Sequence, residues 1–462
     1  MLKLSFYGGA QEVTGANYLL ENEADSRTKI LIDCGLFQGS KICEEKNRAP
    51  FPYDPQSIAA LLVTHSHIDH IGRIPKLVRD GFKGIIYSTP PTKELAKLML
   101  VDSLGVLEKE ARRENLEIFY EEKDVEQAMS QWQTVDYHQE FKVDDFKINF
   151  KDAGHILGSA MIEITYGSRT SVGKSDFRKI VFTGDLGNPP SPLLRPTEEI
   201  NNADFLIIES TYADKVHEDK NERKIKLERA IEDAIKTGGV LMMPAFSLER
   251  TQEILFELND LAENGRISRV PIFLDSPLAI MATEVYKKYE SYFNKETKHI
   301  ISSGDEIFKF PGLKMTKTTE ESKSINDVSG PKVIIAGSGM SNGGRIIHHE
   351  LRYLSDPKSI LLLVGYQSFG SLGRILQDGA KSVTILGDKI NVRAKIETIR
   401  GYSAHPDQEG LMEFVRKSTE TLKQIFVVQG EPSSALFFVQ RVRDYLGINA
   451  TAPQYGETIQ LA

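Results

Sequence analysis

The sequence predicts a mixed α/β protein that contains two kinds of folding unit. Short apolar runs separated by turn residues fill the first 90 positions and recur between 141 and 209, a pattern typical of strands joined without long helices. Between about 220 and 379, helical and strand patterns alternate. Such alternation is typical of a domain that is built on a parallel sheet.

The first part of the chain is predicted to be rich in strands. Their predicted positions are 2–7, 17–21, 29–33, 59–63, 84–88, 141–150, 160–166, 179–183 and 205–209. Helical spacing predicts one helix at 91–114, which follows the helix-start signal Pro90-Pro91, and a second helix at 122–133.

The second part of the chain alternates between the two element types. Helices are predicted at 220–236, 248–263, 279–290, 345–354 and 372–379, and strands at 240–243, 271–274, 332–336 and 359–364. The polar stretch 314–330 is predicted to be an exposed loop. From about 391 the pattern gives a strand, a loop, a helix, a strand at 424–429 and a final helix at 433–445.

Composition limits the classes of function. Lys and Arg total 57 and Asp and Glu total 65, so the net charge is −8, and any nucleic-acid surface must be local. The two cysteines, Cys34 and Cys43, are too few for a disulfide framework and predict a reduced, cytoplasmic setting. The sequence shows neither a signal peptide nor an apolar run of about 20 residues, so no membrane association is expected.

The strongest chemical signal is the motif HSHIDH at 65–70, which directly follows the predicted strand 59–63. Three imidazoles and a carboxylate at a strand end can converge on one cation, and this mixture of ligands suits Zn²⁺, with Mn²⁺ or Fe²⁺ as alternatives. His155 in DAGHILGS and Asp185 in FTGDLG are further candidates. A lone histidine is usually an ordinary polar residue, whereas this grouping predicts a metal centre.

These residues carry a resemblance to a known family. HSHIDH, with Asp33 upstream in LIDCGLFQG and with His155 and Asp185 downstream, resembles the metallo-β-lactamase superfamily, whose fold is an αββα sandwich. Later segments are similar to its β-CASP branch of nucleic-acid nucleases, which includes the endonuclease subunit of pre-mRNA 3′-end cleavage. Those segments are IIESTYADKVH with Glu209, PAFSLERTQEIL, AGSGMSNGGR, GYQSFGSLGR and SAHPD with His405.

The resemblance implies a split architecture around a two-zinc centre. The metallo-β-lactamase domain would comprise 1–208 and 395–462, and 209–394 would be inserted as a β-CASP domain with a parallel sheet. Asp33 would support the ligands through hydrogen bonds. The implied ligands form two sets, of which one is His65, His67 and His155, the other is Asp69, His70 and His405, and Asp185 bridges both.

The resemblance also implies the reaction. Hydroxide shared between two zinc ions would hydrolyse phosphodiester bonds of RNA, which is expected to be single-stranded, in RNA processing or decay. Asp33, Asp69, Asp185 and His405 would belong to the catalytic machinery, and Glu209 would support proton transfer to the leaving oxygen through His405 or another imidazole. Family members that act on DNA tend to have an apolar residue in place of His405, which favours RNA. Endonucleolytic and exonucleolytic cleavage both stay open, as does a homo-oligomer.

Gly-rich turns at the strand ends of the second part predict contacts to phosphate. The candidates are Ser247, Arg250, Ser338, Gly339, Ser371 and Arg374. Four aromatic side chains could stack on bases, namely those of Tyr212, Phe246, Tyr366 and Phe369.

Two positions depart from the family pattern. Ile375 stands where the eukaryotic endonucleases carry a histidine, so the acid that protonates the leaving group stays open, with His348 and His349 as nearby candidates. Gln429, in VVQGE, stands where a histidine is common.

Three alternatives are weighed against a ribonuclease. The first is another hydrolase of the same fold, acting on lactams, thioesters or sulfate esters, and the inserted domain with Glu209 and His405 argues against it. The second is a non-catalytic RNA-binding scaffold, and the intact set of seven ligand candidates argues against it. The third is a DNA nuclease, which His405 disfavours.

Overall fold

The computed structural model describes residues 2–22, 28–39, 41–167, 177–219, 221–368, 370–418 and 420–461. Contacts divide the chain into two compact units. Unit 1 consists of Met1–Pro189, Arg195–Val216 and His405–Ala462, and unit 2 consists of Pro190–Leu194 and His217–Ala404. The domain ranges 1–208, 209–394 and 395–462 stay a prediction. The two compact units instead divide after Val216 and before His405, and Pro190–Leu194 joins unit 2.

The first part of unit 1 alternates strands with a few helices. Its elements are β1 (Leu2–Phe6), β2 (Tyr18–Asn22), β3 (Lys29–Ile32), α1 (Lys41–Arg48), β4 (Ala60–Leu62), α2 (Ile68–Ile71), α3 (Ile74–Arg79), β5 (Ile85–Ser88), α4 (Pro90–Glu114), α5 (Glu122–Ser130), β6 (Trp132–Thr134), β7 (Phe141–Val143), β8 (Phe146–Asp152), β9 (Ala160–Tyr166), β10 (Arg178–Phe182) and β11 (Phe205–Glu209).

Unit 2 follows, and the chain then returns to unit 1. The elements of unit 2 are α6 (Asn221–Thr237), β12 (Val240–Pro244), α7 (Arg250–Glu263), β13 (Ile272–Leu274), α8 (Pro277–Lys288), α9 (Lys295–Ser302), β14 (Leu313–Met315), α10 (Thr319–Ser324), β15 (Lys332–Ala336), α11 (Ile346–Tyr353), β16 (Ile360–Leu363), α12 (Leu372–Gln377), β17 (Ser382–Ile385), β18 (Asp388–Asn391) and β19 (Lys395–Thr398). The returning elements are α13 (Gln408–Arg416), β20 (Gln424–Val428), α14 (Pro432–Leu446), β21 (Asn449–Thr451) and β22 (Thr458–Leu461).

Unit 1 is a sandwich of two seven-stranded sheets, ordered β22-β1-β2-β3-β4-β5-β6 and β21-β20-β11-β10-β9-β8-β7. Strand β11 shows how the layers form, because successive side chains point to opposite faces of a sheet. Phe205 and Ile207 pack into the core between the sheets, whereas Leu206 and Ile208 pack with apolar residues of α13 and α14. Apolar residues of α2 to α5 cover the outer face of the other sheet. The predicted αββα sandwich is therefore confirmed.

The strand directions bring several loops of unit 1 to one edge. Strands β3 and β4 are parallel, as are β10, β11 and β20. Strand β8 runs in the same direction as β10, because both are antiparallel to β9. The segments that follow these strands carry the predicted ligands, so the fold gathers residues that are far apart in sequence.

Unit 2 contains a six-stranded parallel sheet in the order β14-β13-β15-β12-β16-β19, together with the antiparallel hairpin β17–β18. Its core joins buried residues of β12, β15 and β16 to Ile346 of α11 and Leu376 of α12. The inserted parallel sheet that the alternating pattern predicted is confirmed. Within the described ranges, no helix combines the length and the apolar character that are needed to span a bilayer.

Three predicted elements were wrong in detail. The stretch 314–330 is not a loop, because it contains the end of β14, helix α10 and a 3₁₀ turn. A capping box begins α10, in which Glu321 N donates to Thr318 Oγ1 (3.2 Å) and Thr318 N donates to Glu321 Oε2 (2.9 Å). The predicted strand 141–150 is the hairpin β7–β8, with Asp144 in a left-handed turn (φ 48°). The predicted helix 122–133 ends at Ser130 and is followed by β6.

Gly35 allows two segments of unit 1 to approach closely. A Cβ at this position would lie 1.5 Å from the carbonyl oxygen of Asp69. We expect Gly35→Ala to lower the free energy of unfolding by about 1–3 kcal/mol or more, because the backbone beside it has to move. Urea unfolding measures this change.

Gly105→Ala is the matched control for that substitution. Gly105 lies in α4 and a Cβ there meets nothing within 4 Å, so alanine should stabilise the helix by about 0.5–1 kcal/mol. Equal stability of the two variants would contradict the close approach at Gly35.

Candidate metal centre

The histidine motif is held in place by backbone hydrogen bonds to the segment that follows β3. Cys34 N donates to the carbonyl oxygen of His70 (2.8 Å), and Leu36 N donates to that of Ile68 (3.0 Å). Ala16 N donates to the carbonyl oxygen of Asp69 (2.9 Å). These bonds fix helix α2, which carries Asp69 and His70, so the positions of these two side chains depend on an anchored backbone.

Four of the predicted ligands form a first donor set. His65 Nε2 and His155 Nε2 lie 3.0 and 3.3 Å from His67 Nδ1. The same two nitrogens lie 3.4 and 3.5 Å from Asp185 Oδ2. Ligands that are 2.0–2.2 Å from a tetrahedral zinc ion lie about 3.3–3.6 Å from one another. Three imidazoles and one carboxylate at these separations therefore fit a zinc ion.

The remaining predicted ligands, Asp69, His70 and His405, are spaced more widely and are called the second set. His70 Nε2 lies 3.3 Å from Asp185 Oδ1 and 4.0 Å from Asp69 Oδ2. His405 Nε2 lies 4.0 Å from Asp185 Oδ2, which is the oxygen that the first set also faces. The structure thus gathers the other six predicted ligand side chains near the buried Asp185, although unit 2 separates His405 from the rest in sequence.

Asp33 orients His70 of the second set through a hydrogen bond. Its Oδ2 accepts hydrogen bonds from His70 Nδ1 (2.7 Å) and Thr64 Oγ1 (2.7 Å), and its Oδ1 accepts one from Thr64 N (2.8 Å). His70 Nε2 then faces Asp185 Oδ1 (3.3 Å). Burial opposes protonation of His70, but the Asp185 and Asp33 carboxylates raise its pKa well above the usual range. The sequence did not predict a role for Thr64, although its place between the predicted strand 59–63 and the first histidine was a signal that could have done so.

Glu209 orients His405 in the same manner. His405 Nδ1 lies 3.0 Å from both carboxylate oxygens of Glu209, and Leu186 N donates to Glu209 Oε1 (2.7 Å). Glu209 is fully buried, so hydrogen bonds from these donors replace the water that its carboxylate lacks. The Nε2 atom of His405 is left facing Asp185.

The electrostatics of the centre favour electron pairs that are available to a cation at His67, His155 and Asp185, and favour protonation at His70 and His405. Burial, reinforced by neighbouring imidazoles, lowers the pKa of His67 and His155 well below the usual range. Burial opposes ionisation of Asp185, but the imidazoles around it hold its pKa well below the usual range. Burial also opposes protonation of His405, but the Glu209 carboxylate raises the pKa of His405 to about 9. Neutral imidazoles and an ionised carboxylate are the forms that bind metal.

Gln429 is a member of the centre whose place the sequence did not reveal. Its amide Nε2 lies 2.9 Å from His70 Nε2 and 2.6 Å from Asp185 Oδ1. The sequence marked Gln429 only as a departure from the family pattern. Its position at the end of β20, next to the parallel β11, was the signal that could have placed it.

Most of the predicted phosphate contacts lie at the carboxyl edge of the parallel sheet in unit 2. Ser247, Ser338 with Gly339, and Ser371 follow the adjacent strands β12, β15 and β16. A Cβ at Gly339 would lie 2.7 Å from the ring of Phe246, which is 39% exposed. Ligands commonly bind at this edge of parallel sheets.

The hydrogen bonds of these serines are local. Ser338 Oγ accepts from Asn342 N (3.1 Å), and Ser371 Oγ accepts from Arg374 N (3.1 Å) at the start of α12. Ser247 Oγ lies 3.5 Å from Ser276 Oγ. These bonds shape the turns and leave phosphate binding as a prediction.

The two predicted arginines differ in their surroundings. Arg250 is buried, forms an ion pair with Glu253 and lies 5.4 Å from the ring centroid of Tyr402, so a phosphate contact would require that pair to open. Arg374 is 40% exposed and pairs with Asp378 (2.9 Å). An exposed ion pair contributes little energy, so Arg374 can exchange this partner for phosphate.

The candidates for the leaving-group acid and for base stacking also differ in how deeply they are buried. His349 is buried with Nε2 2.8 Å from Asp275 Oδ2, whereas Ile375 is 44% exposed. Tyr212 is buried, with its ring centroid 6.0 Å from that of His405. Tyr366 is half-buried, and Phe369 lies outside the described residues.

Comparison with known proteins agrees with this fold and this centre. A metallo-beta-lactamase superfamily domain matches residues 20–178, a Beta-Casp domain matches 251–376, and a Zn-dependent metallo-hydrolase RNA specificity domain matches 389–453. The chain belongs to the β-CASP branch of the metallo-β-lactamase superfamily. The resemblance inferred from the motifs is thereby confirmed.

Several relatives match over nearly the whole chain. Ribonuclease TTHA0252 of Thermus thermophilus is 36% identical over 435 residues, which are 93% of each chain. Transcription termination factor FttA of Methanocaldococcus jannaschii is 32% identical over 455 residues, which are 96% of this chain and 69% of the relative. The RNase J-like protein of the same organism is 33% identical over 467 residues, which are 100% of both chains.

Removing one acceptor from Asp33 should weaken metal binding. In Asp33→Asn an amide NH₂ replaces an oxygen that now accepts from His70 or Thr64, so His70 is no longer held in one tautomer. We expect zinc affinity to fall about 10–100-fold, measured by competition with a chelator.

The control for Asp33→Asn is Asp388→Asn, at an exposed carboxylate of β18 in unit 2. This substitution should leave zinc affinity unchanged. Equal affinities of the two variants would show that Asp33 does not support the centre.

Proposed function

We propose that this protein is a zinc-dependent ribonuclease that uses two metal ions to hydrolyse RNA phosphodiester bonds in RNA processing or decay. The observation that carries the proposal is the pair of donor sets around Asp185, of which the first has the separations of a tetrahedral zinc site. Relatives that are named as ribonucleases, and that match nearly the whole chain, support RNA as the substrate.

The proposed ligands are the seven side chains of the two donor sets. When bound, divalent ions at these positions would lower the pKa of water towards about 7 and stabilise charge on the phosphate. Asp185 would serve both positions, because its two oxygens face different imidazoles. The proposed ligands of the first ion are His65, His67 and His155, which form a close group with Asp185. Those proposed for the second ion are Asp69, His70 and His405, which are spaced more widely.

The pair of Glu209 and His405 is proposed to handle the proton that goes to the leaving oxygen. Glu209 holds Nδ1 of His405 and stabilises positive charge on its imidazole. With Nδ1 on Glu209, His405 could give a proton to the leaving oxygen only from Nε2, and only while Nε2 does not hold the second ion. Glu209 acts through His405 and is a positioning residue in this scheme.

The proposed substrate is single-stranded RNA. The turns at the carboxyl edge of the sheet in unit 2 offer backbone N–H groups and hydroxyls to phosphates, and Phe246 offers an exposed ring on which a base can stack. The proposed setting is the cytoplasm, which would keep the free thiols of Cys34 and Cys43 reduced.

Replacing the shared carboxylate should remove activity. Asp185→Asn removes the negative charge and replaces one of the two acceptor oxygens with an NH₂ group, so we expect the rate on a short end-labelled RNA to fall roughly 100-fold or more. Circular dichroism checks that the variant folds, and the pattern of labelled products separates internal cleavage from trimming at an end.

A DNA oligomer of the same sequence is the substrate control for this experiment. Faster cleavage of the DNA by the unsubstituted protein would favour the DNA-nuclease alternative. Full turnover of RNA by metal-loaded Asp185→Asn would rule out the scheme.

Reversing the charge of Arg374 should weaken RNA binding and its dependence on salt. Each phosphate contact contributes roughly one unit to the slope of log K against log[salt], so Arg374→Glu should flatten the slope by about 1 or more. Binding titrations of the protein into a labelled RNA that is not cleaved during the measurement, at several salt concentrations, give this slope.

Arg266→Glu is the matched control for Arg374→Glu. Arg266 is also an exposed arginine in an ion pair, with Glu228, but it lies before β13 and so at the amino edge of the sheet. Equal slopes for Arg374→Glu and the unsubstituted protein would remove Arg374 from the RNA surface.

A further inference from the structure

A network of buried charged side chains surrounds Tyr402 in unit 2. Tyr402 is fully buried, and its hydroxyl donates to Glu257 of α7. The guanidinium groups of Arg223, in α6, and Arg250, in α7, lie 5.2 and 5.4 Å from the centroid of its ring. At such distances a cation is attracted to the face of an aromatic ring. Tyr402 is therefore held both by its hydroxyl and by its ring.

The charges of this network are paired within α6 and α7. Arg223 Nε donates to Glu257 Oε1 (2.8 Å), and Arg250 forms an ion pair with Glu253. Each of these four side chains is less than a tenth exposed. Because a buried charge is costly unless it is paired, displacing one member would leave another without its partner. The Tyr402 network is therefore a fixed point of unit 2.

This fixed point lies directly before a proposed metal ligand in the chain. Tyr402 ends the 3₁₀ turn Arg400–Tyr402, and only Ser403 and Ala404 separate it from His405, where the chain returns to unit 1. Three residues span at most about 11 Å, so the backbone of His405 has little slack. Glu209 holds the imidazole of His405 through Nδ1, whereas the backbone that carries this imidazole comes from Tyr402.

We propose that Tyr402 is a positioning residue that sets the distance of His405 from Asp185 and thereby the affinity of the second metal position. The proposal rests on the two-metal centre proposed above and deepens it. His405 Nε2 lies 4.0 Å from Asp185 Oδ2, whereas His65 and His155 lie 3.4 and 3.5 Å from the same oxygen. Sites of this kind work only while their groups stay within about 0.5 Å of the productive geometry, so a small shift of His405 weakens the second position and spares the first.

The same network gives Arg250 a role inside the protein. A phosphate contact would require Arg250 to leave both Glu253 and Tyr402. In this proposal Arg250 stays buried and acts through Tyr402, in contrast to the exposed Arg374. Arg250 should therefore affect the metal centre and leave the salt dependence of RNA binding unchanged.

Two substitutions test the network. Tyr402→Phe keeps the ring and removes the hydroxyl that reaches Glu257, and Arg250→Gln removes one cation from the ring. Both should weaken the second zinc-binding step about tenfold, the lower end of the range for residues that support ligands, and leave the first step unchanged. Native mass spectrometry counts bound zinc, and chelator competition measures each step without any activity assay. The kcat for RNA should fall while the KM and the salt slope stay the same, because no RNA contact is removed.

Tyr286→Phe is the matched control, since Tyr286 is another fully buried tyrosine of unit 2 and its hydroxyl donates to Glu249 Oε2 (2.6 Å). It should lower the stability to urea about as much as Tyr402→Phe does, and it should change neither zinc-binding step. An equal loss of second-step affinity in Tyr286→Phe would reduce Tyr402 to a purely structural residue and overturn the inference.

The remaining outcomes separate this inference from the metal centre itself. If folded Tyr402→Phe and Arg250→Gln bound both zinc ions as tightly as the unsubstituted protein, which also cleaved RNA, only the inference would fail. A flatter salt slope for Arg250→Gln would place Arg250 on the RNA and overturn its assignment to the network. Failure of the unsubstituted protein to bind a second zinc ion would overturn the two-metal centre together with the inference.

Discussion

The Asp185 carboxylate lies where almost no water reaches it, with imidazoles on both of its oxygens. A buried carboxylate without partners would be costly, and it would protonate instead of keeping its charge. Here the surrounding imidazoles hold its pKa well below the usual range. Each histidine of the centre is in turn placed relative to that one charge. The arrangement of the imidazoles and the proposed metal positions therefore both depend on Asp185 staying ionised although it is buried.

The fold meets this requirement through the direction of its strands. Parallel strands present their carboxyl ends at one edge, so short segments after β3, β4, β8, β10, β11 and β20 meet there. Close backbone contacts complete the arrangement. A Cβ at Gly187 would lie 2.1 Å from the carbonyl oxygen of Gly154, next to His155. Distance along the chain matters little, which is why an entire unit can separate Asp185 from His405.

The sequence predicted the layers and the ligands well because both leave local patterns. Alternating apolar residues indicated the strands, and the spacing of HSHIDH indicated a metal centre. Features that depend on tertiary contacts were not predictable. Nothing local to Arg250 shows that it is buried against Tyr402, and nothing in VVQGE shows that Gln429 reaches His70. The helix within 314–330 was missed for another reason, because polar composition outweighed the capping signal of Thr318 and Glu321.

The two donor sets are supported by different physical means. In the second set, Asp33 and Glu209 each accept a hydrogen bond from the far nitrogen of an imidazole, which makes the near nitrogen a stronger donor to a cation. In the first set, Nδ1 of His155 has no hydrogen-bond partner among the described residues, and affinity depends instead on nearly ideal spacing. The two proposed positions would therefore hold an ion differently, because one relies on imidazoles that carboxylates orient and the other on the spacing of its four donors.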